Sequence, residues 1–254
     1  MKTPRVILWD IETSLMVVSK FDLYPDYIQP ENIIDDWYII CASWMELGDK
    51  RPCGIAINQD KKRFKKNPKD DYIVVKKLRE VLVGADLIVA HNGEKFDLPK
   101  LNARLIYHGL DPLPPIRILD TKKEAKKIAK FSSNKLDYFG SFFGLGRKIH
   151  TDAQLWRDCL NHDERAINKM LVYNKQDTLL LKRIYLRMRK YFRRHPNLFM
   201  SHSLVCPVCG SSHLEWAGYR LTIVMRYRRF RCLDCGSWGQ ERTPYGERPT
   251  TSSI

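Results

Sequence analysis

The sequence predicts an α/β domain built on a mixed five-stranded sheet with helices on both faces, followed by a small cysteine-rich metal-binding ribbon. Three observations predict this. Five short, β-branched-rich apolar runs are interspersed with longer segments of helical spacing. The first of those runs leads directly into two carboxylates. Four of the seven cysteines form two Cys-x2-Cys pairs near the C-terminus.

The first strand candidate, "VILWD", ends at Asp10, and Glu12 follows after a single isoleucine. Side chains at i and i+2 share a strand face, so both carboxylates point the same way. Two anions that close call for a cation between them. "WYIICASWM" and "CGIAIN" read as the second and third strands. The densest basic stretch, "DKKRFKKNPKDD" from Asp60 to Asp71, reads first as a solvated loop, with a phosphate-tracking role as the alternative. In "DDYIVVKKLREVLVGA", Ile73, Val74, Leu78 and Leu82 recur at helical spacing up to Gly84. "DLIVAHN" is the fourth strand candidate, "DLPKLNARLIYHG" a helix stopped by Gly109, and "IRILDT" the fifth strand. There Asp120 reads as the cap of a following helix. A long helix is expected from Asp163, its N-cap, to about Arg194, ahead of Pro196. The α/β domain is expected over residues 1–197.

Cys206, Cys209, Cys232 and Cys235 form "CPVCGSS" and "CLDCGSW", joined by 22 residues. Each knuckle offers two sulfurs to a tetrahedral ion, so the spacing predicts a structural zinc site with one Zn2+. The intervening "HLEWAGYRLTIVMRYRRFRC" suits the strands of a zinc ribbon over 201–240, and 241–254 reads as a flexible tail.

Lys and Arg number 44 against 29 Asp and Glu, a formal charge of +15. That excess favours a polyanionic partner, most simply a nucleic acid. No stretch of about eighteen apolar residues occurs, and "MKTPRVILWD" lacks the apolar core of a signal peptide. The remaining cysteines, Cys41, Cys53 and Cys159, are scattered, unlike a secreted disulfide framework. A cytoplasmic or nucleoid-associated protein without a membrane partner is therefore expected.

Phosphoryl chemistry with two divalent ions about 3.5–4 Å apart needs more than two acids. Asp97 follows a strand at the opening of a helix, with Asn92 five residues earlier and Phe96 just before it. Tyr173 and Asp177 in "YNKQD" lie one helical turn apart on one face. Oxygen ligands select magnesium or manganese, whereas four thiolates select zinc, so two metal types are expected at two sites.

In their order, "WDIET", "HNGEKFDLPKL" and "YNKQD" resemble the three motifs of the DEDDy 3′-to-5′ exonucleases of ribonuclease H-like fold. The resemblance is nearest to the proofreading exonuclease domain of family B DNA polymerases. It covers roughly residues 4–190 and extends to the Lys135-Leu136-Asp137 triplet. The zinc module is foreign to that domain, so a stand-alone nuclease with an appended ribbon is expected.

The resemblance implies that Asp10, Glu12 and Asp177 hold one Mg2+ or Mn2+. It further implies that Asp10 bridges to a second ion whose water shell leans on Asp97, and that Tyr173 positions the attacking water. Thr13 and Asn92 would hydrogen-bond the terminal nucleotide of a single-stranded DNA end. Phe96, Phe131, Tyr138 and Phe142 are candidates to stack on its bases. A replication or repair protein is an expected partner. Two rival readings stand beside this one: an exoribonuclease or structure-specific nuclease on the same fold, and a non-catalytic nucleic-acid-binding protein.

Overall fold

The computed structural model describes residues 3–21, 27–148, 151–200 and 203–246. Residues 5–184 form one compact unit, and residues from 185 onward, with the N-terminal residues up to Pro4, form another.

In the first unit all five expected strands form one mixed sheet. In chain order they are β1 (Val6–Thr13), β4 (Ile39–Glu46), β5 (Cys53–Ala56), β6 (Leu87–Ala90) and β7 (Arg117–Asp120), and β2 (Val17–Val18) and β3 (Ile33–Asp35) pair separately. The spatial order is β5-β4-β1-β6-β7. β1 runs antiparallel to β4 and parallel to β6, which makes it the central strand. Val6–Trp9 and the whole of β6 are buried. Strands covered on both faces read as continuous apolar runs, and these do.

The helices are α1 (Lys61–Lys66), α2 (Tyr72–Val83), α3 (Asp97–Tyr107), α4 (Thr121–Ile128), α5 (Leu136–Phe142), α6 (Ala153–Leu160) and α7 (Glu164–Met188). α1 falls within the basic stretch read as a loop. Asp60 caps it by accepting from the Arg63 N–H at 3.0 Å, and Phe64 buries its inner face. Asp163 caps α7 as expected, accepting from the Arg165 N–H at 2.7 Å. That helix ends at Met188, short of the expected Arg194, because the chain tightens into a 3-10 turn at Arg189–Tyr191 and leaves it in extended geometry at Phe192. A proline bars helix only from its own neighbourhood, and here the turn comes earlier.

α3 is anchored at its far end by a buried ion group. Asp71 accepts both Arg104 Nε and Nη2 at 2.7 Å, His108 Nε2 at 2.6 Å and the Ile39 N–H at 2.9 Å. This bidentate clamp ties the C-terminal end of α3 to β4.

The second unit carries a three-stranded antiparallel sheet of β8 (Leu214–Leu221), β9 (Arg226–Cys232) and β10 (Trp238–Gln240), with β9 central. Part of the expected tail is held to this sheet, since the Glu241 and Tyr245 N–H groups donate to the Arg228 and Arg226 carbonyls. From residue 247 on, that expectation lies outside the described residues. Among the described residues, no helix is long and apolar enough to cross a membrane.

Candidate active site

The site forms where β1 outruns its parallel neighbour. Pairing with β6 stops at Leu8, so Asp10, Ile11 and Glu12 have a strand edge open on that side. Asp97, the first residue of α3, fills the gap, and its Oδ1 accepts the Ile11 N–H at 3.2 Å. Ile11 itself points into the core, which leaves Asp10 and Glu12 together on the other face.

α7 crosses that face. Tyr173, Asn174, Asp177 and Thr178 make a buried stripe at helical spacing. Ser43, paired with Asp10 across β1 and β4, donates to the Asn174 carbonyl at 2.9 Å and lies 2.5 Å from Thr178 Oγ1. With the helix so fixed, Asn174 Nδ2 donates to Asp10 Oδ2 at 2.7 Å. One carboxylate oxygen from each of Asp10, Glu12 and Asp177 lies within 4.8 Å of the other two.

Lys148 completes the group. Its Nζ donates to Asp177 Oδ2 and, at 3.0 Å, to the Tyr173 hydroxyl. The Lys148 backbone N–H donates to Asp137 Oδ1 at 2.9 Å, which gives the acid of the Lys135-Leu136-Asp137 triplet a task.

Burial and crowding govern the charges. Burial first, then the neighbouring Asp97, Glu12 and Asp177, hold the Asp10 carboxyl well above its usual range. Burial pushes Glu12 up to about 8 despite Lys148, and Asp97 up to about 7 despite the Ile11 N–H. Asp177 is raised by burial and relieved by Lys148. Burial and then Asp177 push the Tyr173 phenol up to about 12, so it stays protonated and able to donate.

This donor set fits a hard divalent ion. All its ligand atoms are carboxylate oxygens, and among the described residues the buried Asp177 Oδ1 has no hydrogen-bond partner, a need that a cation would satisfy. In the ribbon, the Cys206 and Cys235 sulfurs are 3.6 Å apart, as are those of Cys209 and Cys232. A tetrahedron with Zn–S bonds of about 2.3 Å has edges of about 3.8 Å, so the four sulfurs fit zinc. The glycine after each knuckle turns left-handed, Gly210 at φ +78° and Gly236 at φ +74°, and donates back to the carbonyl of the first cysteine.

The structure thus gathers Asp10, Glu12, Asp177 and Tyr173, with Asp97 alongside. Thr13 ends β1, Asn92 and Phe96 sit on the turn between β6 and α3, and among the described residues no hydrogen bond joins their side chains to the acids. Thr13 lies at a bulge in the β1–β4 pairing. Asn92, at φ +74°, has its N–H held by Asp120, which also caps α4 through the Lys122 and Lys123 N–H groups. Phe96 is 40% exposed, with Lys100 Nζ 5.3 Å from its ring. Phe131 packs edge-on against Phe139, Phe142 and Phe143, whereas Tyr138 and the exposed Phe142 stack on each other.

Two residues escaped the sequence reading. Asn174 sits inside "YNKQD", and its only signal is an amide in the buried stripe of an amphipathic helix. Lys148 has none, because one lysine in a strongly basic chain carries no information until the fold brings it to the acids.

Residues 53–189 match the model of the RNase_H superfamily. The chain belongs to the RNase H superfamily. The matched segment holds Asp97, Tyr173 and Asp177 and begins beyond Asp10 and Glu12, which the central strand supplies. Superfamily membership supports nuclease activity in general and, with it, nucleic-acid binding and the use of divalent metal ions. No curated protein matches the sequence. Among solved structures, the chain is similar to the family B DNA polymerase from the hyperthermophilic archaeon Pyrobaculum calidifontis, at 15% identity and a TM-score of 0.48. The likeness covers 72% of this chain and 24% of that one, so the chain spans about a quarter of the polymerase's length.

Proposed function

We propose that this RNase H-superfamily protein is a metal-dependent 3′-to-5′ exonuclease that removes nucleotides from single-stranded DNA ends. The observation that carries the reading is the convergence of Asp10, Glu12 and Asp177 beside an unpartnered buried oxygen of Asp177. A platform for passive phosphate binding has no use for clustered carboxylates, since they repel the phosphate unless cations intervene.

In this reading Asp10, Glu12 and Asp177 would hold one magnesium or manganese ion, and Asp10 with Asp97 would serve a second. Such ions supply an acidified water and neutralise charge on the scissile phosphate. The chain's own groups do the positioning. Tyr173, protonated at neutral pH, orients the attacking water through its hydroxyl. Asn174 fixes the rotamer of Asp10, and Lys148 fixes Asp177 and Tyr173. Thr13, Asn92 and the exposed ring of Phe96 would meet the terminal nucleotide.

The test is a 5′-labelled single strand incubated with magnesium or manganese and sampled over time, as matched DNA and RNA. A ladder shortening from the 3′ end, faster on DNA, is expected. Internal fragments would make the protein an endonuclease, and faster loss of RNA would make it an exoribonuclease.

A further inference from the structure

The ribbon sheet carries aromatic and guanidinium groups that a four-thiolate site does not need. Trp216 pairs with Phe230, and Tyr219 pairs with Arg228. Three residues apart on a regular strand, Trp216 and Tyr219 would point to opposite faces. A bulge between them, with Gly218 at φ +73°, absorbs the odd residue and returns Tyr219 to the face of Trp216. Arg229 holds the bulge from the other face, its Nε donating to the Ala217 carbonyl at 2.6 Å.

The face so made is a ladder of flat groups. Arg228 lies 3.9 Å over the Trp216 ring, and Arg226 lies 5.3 Å from the Tyr219 ring and 5.2 Å from that of Tyr245. The two tyrosine rings are 4.9 Å apart. Trp216 and Tyr219 are each 39% exposed and Tyr245 43%. The one acid in β8 and β9, Glu215, pairs with Arg231 on the opposite face. Burial of aromatic rings favours a core, so three half-open rings interleaved with arginines need another reason.

We propose that this face binds single-stranded nucleic acid, its rings and guanidinium planes stacking on bases while Arg226 and Arg228 meet the phosphates. Every base has a π-face, but a duplex hides it within the stack, so unpaired strands are what such a ladder fits. Arg226 spends Nε on the Tyr245 carbonyl at 3.3 Å, which leaves its terminal N–H groups for phosphate. The inference stands on the ribbon alone and holds whether or not the acidic site cleaves.

The test uses the full chain carrying Asp10→Asn, so that binding is read without cleavage, and a fluorescein-labelled oligothymidylate in magnesium-free buffer. By anisotropy, Trp216→Ala and Tyr219→Ala should each weaken binding about 10- to 100-fold with little change in salt dependence, and Trp216→Phe should restore most of it. Arg228→Gln should lower the slope of log affinity against log salt by about 0.7. Trp238→Ala, on the opposite face, should bind as the parent does. Zinc content measured by atomic absorption confirms that the ribbon of each variant is loaded. If an alanine variant loses its zinc, Arg228→Gln and Trp216→Phe carry the decision. Parental affinity in zinc-loaded Trp216→Ala and Tyr219→Ala, or an equal loss at Trp238→Ala, would overturn the assignment and turn this face toward a protein partner.

Discussion

Asn174 and Asp10, 164 residues apart in sequence, are joined by a hydrogen bond of 2.7 Å from the side-chain amide to Oδ2. It links the long helix directly to the acid on the stretch of the central strand that outruns β6. It also fixes which oxygen of Asp10 faces the other carboxylates.

Asn174→Ala should therefore act on geometry more than on stability. The lost bond frees an acid that water can resolvate, so unfolding should shift by only about 1 kcal/mol. Cleavage should fall about 10- to 100-fold, and the magnesium concentration for half-maximal rate should rise, because Asp10 is no longer held for the metal. Parental rates over a full magnesium titration would show that Asp10 needs no such support.

Asp10→Ala and Asp177→Ala should both abolish cleavage, but their effects on stability should differ. Removing Asp10 relieves a crowded acidic group and costs the Asn174 hydrogen bond, two opposed effects, so the melting temperature in magnesium-free buffer should hold. Removing Asp177 strips Lys148 of its ion pair and should lower the melting temperature by about 2–4 °C. Calorimetry on the two variants checks the contrast, and a matching shift in both would dissolve it.

The acidic group should also give the metal-free protein an inverted pH dependence. Glu12 at about 8 and Asp97 at about 7 lie above the ordinary carboxylate values of 4.5 and 3.8. Between about pH 4 and 8 the folded state then holds more protons than the unfolded chain, so stability falls as pH rises through that window. Thermal melts from pH 5 to 8.5 should show the decline, and Glu12→Gln should flatten it. A melting temperature that rises across the range in both proteins would mean these acids are ionised throughout.

Tyr173→Phe removes only a hydroxyl that Lys148 contacts at 3.0 Å. Single-turnover cleavage should slow about 10- to 1000-fold, the range of a lost positioning hydrogen bond. Magnesium binding, followed by calorimetry, should persist. An unchanged rate would leave the phenol with packing alone, against Trp156 at 6.3 Å.

Local rules carried the sequence a long way. A strand's period of two put Asp10 and Glu12 on one face, one helical turn put Tyr173 beside Asp177, and paired Cys-x2-Cys knuckles marked the four thiolates. The five apolar runs were legible as strands for the same reason, because alternation and burial act within a few residues. The α1 helix and the early end of α7 were not legible, since short helices and their termini answer to caps and packing more than to composition.

Tertiary structure alone decided the rest. Nothing near Asp97 announces that it will accept the N–H of Ile11 at an open strand edge. Neither the Asn174 amide nor the Lys148 ammonium can be matched to its partner from sequence, because each meets an acid far along the chain or across a loop. In the ribbon, a single bulge at Ala217 and Gly218 reverses the face of Tyr219, so strict alternation would have parted it from Trp216. Spacing encodes what neighbours on one element share. Contacts between elements depend on where folding brings their ends, and there the pull of buried charge and unpaired backbone decides the partners.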